Sequence, residues 1–233
     1  MKTHNFRLGP VDTDSISICK QDGSPFSEEE QYALITEINS FMPKLIQYAH
    51  DGYFSKCVAL KAKNYVLYDG KKIKVKGSAL KAKVKSPALQ ELIKKTIETI
   101  CYTDTKEETY EALKALYNTY VKEAATITTP EQIRRWSTRK TFSSTMKEST
   151  RTNETKAMDV LKDSKYVEGD RFHVYYLPDD SLSLAENFSG EYNKPRLYKN
   201  IYDTISVFDT VLPVKELFLN YALKKNLPLV ENL

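Results

Sequence analysis

The stretch that decides the fold is Gly9-Pro10-Val11-Asp12-Thr13-Asp14-Ser15-Ile16-Ser17-Ile18-Cys19. Residues 14–19 alternate between polar and apolar side chains, which predicts a strand with one buried face. A short mixed segment, residues 4–10, precedes it, and an acidic turn lies between the two. We therefore predict a β-hairpin that carries the carboxylates of Asp12 and Asp14 at its tip.

Paired carboxylates on a rigid turn suit a hard divalent cation. Mg²⁺ is usually held by one or two protein carboxylates together with substrate phosphates. Asp and Ser also favour ordinary turns, so a polar turn without a metal is the competing interpretation. A calcium-binding EF-hand loop is excluded, because Ser17 stands where that loop requires glycine and Gly23 stands where it requires glutamate.

Lysine-rich strands follow the hairpin in the sequence. Residues 57–61, 64–68 and 73–76 read as strands, with a hairpin turn at Asp69-Gly70. The lysines of this region are Lys56, Lys61, Lys63, Lys71, Lys72, Lys74, Lys76, Lys81, Lys83 and Lys85. Such an excess over acidic residues predicts a phosphate-binding surface, and a merely solvated basic hairpin is the alternative.

Helical signals flank these strands. Ser27 and Glu30 have the spacing of a capping box, and an apolar stripe after them predicts a helix that continues to Ile46 with a kink at Pro43. The order Ser86-Pro87 predicts a second helix, and a further capping box, Thr105 to Glu108, predicts a third.

The rest of the chain, from residue 126 onward, is less regular. Residues 126–155 read as a basic loop with one short helix near Pro130 and with Trp136 as a core anchor. The cations of this loop are Arg134, Arg135, Arg139, Lys140, Lys147 and Arg151. Helix is predicted at 157–161, strand at 169–177, a polar loop at 179–195 and helices in the tail.

Composition narrows the possible classes. The chain has 233 residues, of which 41% are apolar and 28% charged, and a formal net charge of +4. Three scattered cysteines argue against a disulfide framework and a zinc ribbon. No run of 18 apolar residues and no signal peptide are present, so we expect a soluble cytoplasmic protein.

The hairpin resembles motif C of family B DNA polymerases, Tyr-Gly-Asp-Thr-Asp-Ser followed by an apolar strand, with Pro10-Val11 in place of Tyr-Gly. Lys63 and Tyr65 are similar to the Lys-x-Tyr motif that follows it, although Ala62 replaces a frequent lysine. Lys76-Gly77 resembles the segment that leads from palm to thumb. The order of these motifs is most similar to that in polymerases of large tailed bacteriophages.

The resemblance implies an α+β fold, with a partial palm at residues 1–80 (a β-hairpin and a small antiparallel sheet) and a mainly helical thumb at residues 81–233. It also implies that Asp14 is a ligand of a two-Mg²⁺ site and that Asp12 is a supporting carboxylate. Contacts to primer-template DNA are expected from Lys63, Tyr65, Lys74, Lys76, Lys81, Arg139 and Lys140.

A polymerase of this family needs further parts, namely motif A, the fingers and an exonuclease, and the sequence shows none of them. The resemblance therefore implies the C-terminal subunit of a split DNA-directed DNA polymerase. This subunit would be inactive alone and would form a heterodimer with an N-terminal polymerase fragment. The complex would use deoxynucleoside triphosphates as substrates, and a sliding clamp is a further possible partner. We expect it in the cytoplasm of a phage-infected bacterium. The alternatives are a non-catalytic DNA-binding accessory protein derived from a thumb and an unrelated interaction protein.

Overall fold

The computed structural model describes residues 5–12, 14–77, 80, 86–147, 152–162 and 164–217. The chain divides into two compact units, residues 1–78 and 79–233. The first contains β1 (Phe6–Val11), β2 (Ile16–Lys20), α1 (Glu28–Ser40), β3 (Lys56–Lys61), β4 (Asn64–Tyr68) and β5 (Ile73–Lys76). The second contains α2 (Pro87–Tyr102), α3 (Lys106–Ala125), α4 (Pro130–Trp136), β6 (Thr138–Thr141), α5 (Ser144–Lys147), α6 (Thr152–Leu161), β7 (Arg171–Tyr176), β8 (Leu182–Leu184) and α7 (Lys194–Ile205).

The predicted hairpin is confirmed. Strands β1 and β2 pair antiparallel, from Phe6 opposite Lys20 to Val11 opposite Ile16. The register shifts between Leu8 and Val11, which makes a bulge where Gly9 and Pro10 stand. Proline has no N–H to donate to a ladder and is tolerated at bulges, so this is where the strand can accommodate it.

A second antiparallel sheet has the order β3-β4-β5. Its strands match the predicted segments, and the side chain of Asp69 accepts the N–H groups of Lys71 and Lys72 in the turn, each at 2.7 Å. Val58, Val66 and Val75 lie opposite one another and share one face. These three valines therefore form one apolar row across the sheet.

Helix α1 begins as predicted but ends earlier. The Ser27 and Glu30 capping box is formed, with the Glu30 carboxylate accepting the Ser27 N–H at 2.8 Å. The predicted continuation through a kink at Pro43 is wrong, because the helix ends at Ser40 with Phe41 as its C-cap. A proline inside a helix removes one hydrogen bond and clashes with the preceding turn, so ending the helix before Pro43 avoids both costs.

The second unit has its core between helices. Helix α2 begins with Pro87 in its first turn, and α2, α3 and α7 contact one another. Thr105 caps α3 by accepting the Glu108 N–H at 3.1 Å, whereas the Glu108 carboxylate accepts from the N–H of Asp104, one residue earlier than in a capping box. Leu92, Leu113, Tyr117, Ile201 and Ile205 are among the buried side chains of this core.

The predicted loops contain more regular structure than expected. Residues 126–155 include α4, β6, α5 and the start of α6, and residues 179–195 include β8. Strands β6, β7 and β8 form a third antiparallel sheet. The sequence of β6, Thr-Arg-Lys-Thr, has no apolar alternation, so its strand conformation comes from pairing with β7 rather than from a local signal.

Arg135 joins three helices of the second unit. Its guanidinium contacts Glu91 on α2 at 2.6 Å and Glu123 on α3 at 2.7 Å. Trp136 is buried, as predicted, and its indole N–H donates to the same Glu123 carboxylate at 3.0 Å. Hydrogen bonds from Lys95 and then Arg135 lower the pKa of Glu91 to about 2.

Candidate metal and nucleic-acid site

The hairpin tip presents two carboxylates on a short closed turn. The N–H of Asp12 donates to the carbonyl of Ser15 at 2.9 Å, which closes the turn between β1 and β2. The side chain of Asp12 is 36% exposed, and Asp14 is exposed. The replacement of Tyr-Gly by Pro10-Val11 thus preserves a tip from which both carboxylates are accessible.

Lys63 contacts this tip from the second sheet. Its Nζ lies 3.3 Å from the Asp12 Oδ1, although the two residues are far apart in sequence. The lysine side chain is 71% exposed, so the pair is a surface ion pair that contributes little to stability. Its significance is positional, because it brings the acidic turn and the Lys-x-Tyr segment together.

The sheet behind Lys63 presents a mixed aromatic and basic face. Tyr65 lies opposite Lys76, and Leu67 lies opposite Lys74, so these four side chains share one face of the sheet. Both lysines are exposed and Tyr65 is half-buried. Of these predicted site residues, Tyr65, Lys74 and Lys76 are therefore brought together on one surface.

Lys74 is held by its neighbours. Its Nζ lies 3.5 Å from the Asp51 carboxylate and 5.8 Å from the centre of the Phe54 ring. Asp51 is 85% exposed, so this ion pair is weak enough to be exchanged for a phosphate.

A close approach of backbone fixes Lys63 relative to Lys76. Lys63 has a φ of 60°, and Gly77, which follows Lys76, has a φ of 95°. A Cβ added to Gly77 would overlap the carbonyl oxygen of Lys63 and the side-chain amide of Asn64. Glycine is therefore required where the end of β5 passes the turn between β3 and β4.

The remaining predicted DNA-binding residues belong to the second unit. Arg139 lies opposite His173, whereas Lys140 lies opposite the buried Phe172, so the two neighbours occupy opposite faces of the third sheet. Lys81 lies outside the described residues. The Arg135 guanidinium, which the sequence placed in the same basic cluster, is instead committed to Glu91 and Glu123.

Two further residues of the third sheet, Arg171 and His173, were not predicted as DNA-binding residues. Arg171 lies opposite Thr141, and with His173 it shares the face of Arg139. The alternation along β7 could have identified them, because Arg171 and His173 alternate in sequence with the apolar, buried Phe172 and Val174.

The hairpin tip offers two carboxylates to a divalent cation. Among the residues that the structure describes, no group of three or more His, Cys, Asp or Glu side chains is arranged to hold a metal ion. Asp12 and Asp14 nevertheless fit the ligand needs of Mg²⁺, which takes one or two carboxylates and completes its coordination with phosphates and water. In this structure the positive charge beside Asp12 is the ammonium group of Lys63.

Most exposed large apolar side chains lie in the first unit. In its described part, the buried apolar side chains are Leu60, Val66 and Leu67, and α1 buries none. The exposed ones are Leu8, Val11, Ile16, Tyr32, Phe41, Leu45, Ile46 and Tyr53. We name this set the apolar surface.

Comparison with solved structures relates the chain to a known fold. It is similar to the family B DNA polymerase of the hyperthermophilic archaeon Pyrobaculum calidifontis, with a TM-score of 0.66 over 89% of this chain. The two sequences are 15% identical, and the chain spans 27% of that polymerase. Neither a scan against protein-family models nor a search of curated proteins finds a match.

The fold is therefore that of part of a family B DNA polymerase, and the predicted α+β class is confirmed. In the described part of the chain, no helix is both long and apolar enough to cross a membrane.

Proposed function

We propose that this chain is the C-terminal subunit of a split family B DNA-directed DNA polymerase, similar to those of bacteriophages. The contact of 3.3 Å between Lys63 and Asp12 carries the proposal. It joins the two segments that resemble neighbouring polymerase motifs, within a fold that is similar to a quarter of a family B polymerase. A chance acidic turn would have no reason to lie beside the Lys-x-Tyr segment.

In this proposal Asp14 is a ligand of a Mg²⁺ site shared with the partner, and Asp12 supports it. Mg²⁺ in such sites activates the attacking oxygen and neutralises charge on the transferred phosphate. Asp12 and Asp14 supply carboxylate oxygens from a closed turn, which limits their movement. When a cation takes over the charge of Asp12, Lys63 is free to bind a phosphate of the primer strand.

The basic face then holds DNA next to the tip. Lys74 and Lys76 bind backbone phosphates, and Tyr65, which lies opposite Lys76, packs against the DNA backbone. Ammonium groups bind phosphates without reading the bases, which suits an enzyme that copies any sequence. The second unit corresponds to a thumb, in which Arg139 and Lys140 contribute further phosphate contacts.

The apolar surface supports the need for a partner. The described first unit buries few of its own apolar side chains, and α1 has none that is fully buried. Burial of apolar surface yields about 25 cal/mol per Å², so a complementary palm fragment would gain most of its binding energy here. That fragment would also supply motif A, the fingers and the exonuclease, and a sliding clamp is a further possible partner.

Co-expression with the product of the neighbouring reading frame tests this function. We expect the two chains to co-purify and to extend a primer with Mg²⁺ and deoxynucleoside triphosphates, whereas each chain alone does not. Asp14→Ala should abolish extension while the complex stays intact. An active complex that contains Asp14→Ala would refute the role of the tip.

A DNA-binding accessory protein is the second candidate. The exposed lysines of the second sheet, Lys74 and Lys76, favour it, since phosphate binding by such lysines needs no catalytic metal. It predicts that the chain binds duplex DNA alone and that Asp14→Ala leaves replication in the cell unchanged. The polymerase proposal predicts that the same variant stops replication.

A further inference from the structure

The third sheet has a cationic face that adds Arg171 and His173 to the predicted contact of Arg139. Arg139 lies opposite His173 and Thr141 lies opposite Arg171, so these four side chains project to the same side of β6 and β7. Arg134 stands near the end of α4, which contacts β7. We propose that Arg134, Arg139, Arg171 and His173, here named the cationic face, bind successive phosphates of a nucleic-acid backbone.

The orientation of this face is fixed by the core on the other side. Phe172, Val174, Leu182 and Leu184 of β7 and β8 are buried together with Met146, Ala157 and Leu161. Because side chains alternate along a strand, burial of Phe172 and Val174 places Arg171 and His173 on the opposite side. A shift of the β7 register by one residue would bury Arg171 and His173 instead of Phe172 and Val174, and the free-energy cost of that burial fixes the face.

The charges of the cationic face are not compensated within the described part of the chain. No carboxylate there lies within ion-pair distance of Arg134, Arg139 or Arg171. The nearby acids have other partners. Glu168 pairs with Lys147 at 3.0 Å, Glu186 accepts from the Tyr166 hydroxyl at 2.6 Å, and Asp170 accepts from the N–H of Val167 at 3.0 Å.

Such an arrangement favours an anionic ligand. Like charges directly opposite each other on neighbouring strands destabilise a sheet, so protonation of His173 opposite Arg139 has a cost when no anion is bound. A bound phosphate would remove that cost by supplying the missing negative charge. Guanidinium groups match phosphate geometry with two parallel hydrogen bonds, and exposed Arg139 and Arg171 are free to do so.

His173 makes the face sensitive to pH. Its Nδ1 is buried and has no hydrogen-bond partner among the described residues. Burial, followed by the charges of Arg134 on α4 and Arg139 on β6, lowers the pKa of His173 below its ordinary value. The free protein therefore holds a neutral imidazole at neutral pH, and an adjacent phosphate, which favours the imidazolium, would draw a proton onto it.

This inference rests on the proposed function only in taking DNA as the source of the phosphates. All four residues lie in the second unit, so binding is measurable with the full chain alone, without a partner and without catalysis. A chain that fails to complete a polymerase could still bind DNA here, and a working polymerase could bind DNA elsewhere. The two proposals can therefore fail separately.

The first test is the salt dependence of binding to a fluorescent DNA duplex. Each phosphate contact contributes about 0.9 to the slope of log K against log salt. We expect Arg139→Gln and Arg171→Gln each to reduce the slope by about that amount between about 50 and about 200 mM salt. Lys199→Gln, an equal charge change at an exposed position of α7, should leave the slope unchanged.

The second test is the pH dependence of the same binding. As the pH falls from about 7.5 to about 6, wild-type affinity should rise, by at most about tenfold per pH unit, and His173→Gln should remove this rise. Trp136 fluorescence in urea verifies that each variant folds. Slopes of Arg139→Gln and Arg171→Gln that equal that of Lys199→Gln would overturn the proposal. So would an unchanged pH profile in His173→Gln, or binding of inorganic phosphate without binding of duplex.

Discussion

Replacement of Gly77 by alanine tests how the first unit holds its basic residues. Gly77 has a φ of 95°, where an alanine costs about 1–2 kcal/mol of backbone strain. The added Cβ would also overlap the Lys63 carbonyl oxygen and lie 2.7 Å from Asn64 Cγ, both parts of one tight turn. Overpacking of this kind costs about 1–3 kcal/mol more. We therefore expect Gly77→Ala to destabilise the β3-β4-β5 sheet by about 2–5 kcal/mol.

Gly70→Ala is the matched control. Gly70 has a similar φ of 92°, but a Cβ there would meet nothing within 4 Å, so only the backbone strain applies. Hydrogen exchange of the amides in β4 and β5, followed by mass spectrometry, reports the local stability of this sheet. Protection should fall much further in Gly77→Ala than in Gly70→Ala. Equal loss in the two variants would refute the argument that the close approach to Lys63 requires glycine.

Three further predictions follow from contacts in the two units. Arg135→Met should lower the free energy of unfolding by about 1–2 kcal/mol at neutral pH, since two partly exposed carboxylates lose their guanidinium partner while Glu91 keeps Lys95 and Glu123 keeps Trp136. The pKa of Glu91 is lowered to about 2, so its stabilisation is full above the unfolded pKa, about 4.3, and disappears as the pH falls toward 2. The difference in free energy of unfolding between Arg135→Met and wild type, measured by Trp136 fluorescence in urea, should therefore become smaller as the pH falls from about 4.3 toward 2. A difference that stays constant over this pH range would contradict the ion pair between Arg135 and Glu91 as its cause. Thr105→Ala should cost about 1 kcal/mol by removing the cap of α3, as measured by urea denaturation, and an unchanged midpoint would argue against the cap. The side chain of Leu45 is 98% exposed, so Leu45→Ser should leave the thermal midpoint of the chain unchanged but weaken co-purification with the partner. Full retention of the partner by this variant would show that Leu45 is not part of the interface.

Local patterns predicted the elements that have strong local signals. The hairpin, the strands β3 to β5 and the starts of α1 and α2 follow from alternation, a turn motif, a capping box and a first-turn proline. The end of α1 was missed because apolar spacing continues past Ser40, where Pro43 prevents further helix. Side chains after that point, such as Phe41, are exposed instead of forming a buried stripe.

Long-range pairing set the limit of what the sequence could show. The four residues of β6 become a strand only because β7 lies beside them, and the sequence gives no trace of that pairing. The same holds for the site, because the contact of Lys63 with Asp12 depends on how two separate sheets meet. A cluster that looks uniform in sequence also divides in space: Arg139 faces outward, while Arg135 binds two carboxylates.

The proposal makes this chain a subunit whose chemistry depends on another polypeptide. Its first unit carries the acidic tip and a basic face, and its described residues bury little apolar surface there. Its second unit has a larger core and a separate cationic face. We infer that the second unit folds and binds DNA independently, whereas the first gains stability when a palm fragment covers the apolar surface.

Single-nucleotide incorporation by the reconstituted two-chain complex tests the central claim most directly. The rate with saturating primer-template, deoxynucleoside triphosphate and Mg²⁺ should fall at least about 100-fold in Asp14→Ala, equivalent to about 2.7 kcal/mol of barrier. Asp203→Ala, which removes an exposed carboxylate from α7, should retain the wild-type rate. Equal rates in the Asp14→Ala complex and the Asp203→Ala complex would contradict the claim that the hairpin tip completes a metal site.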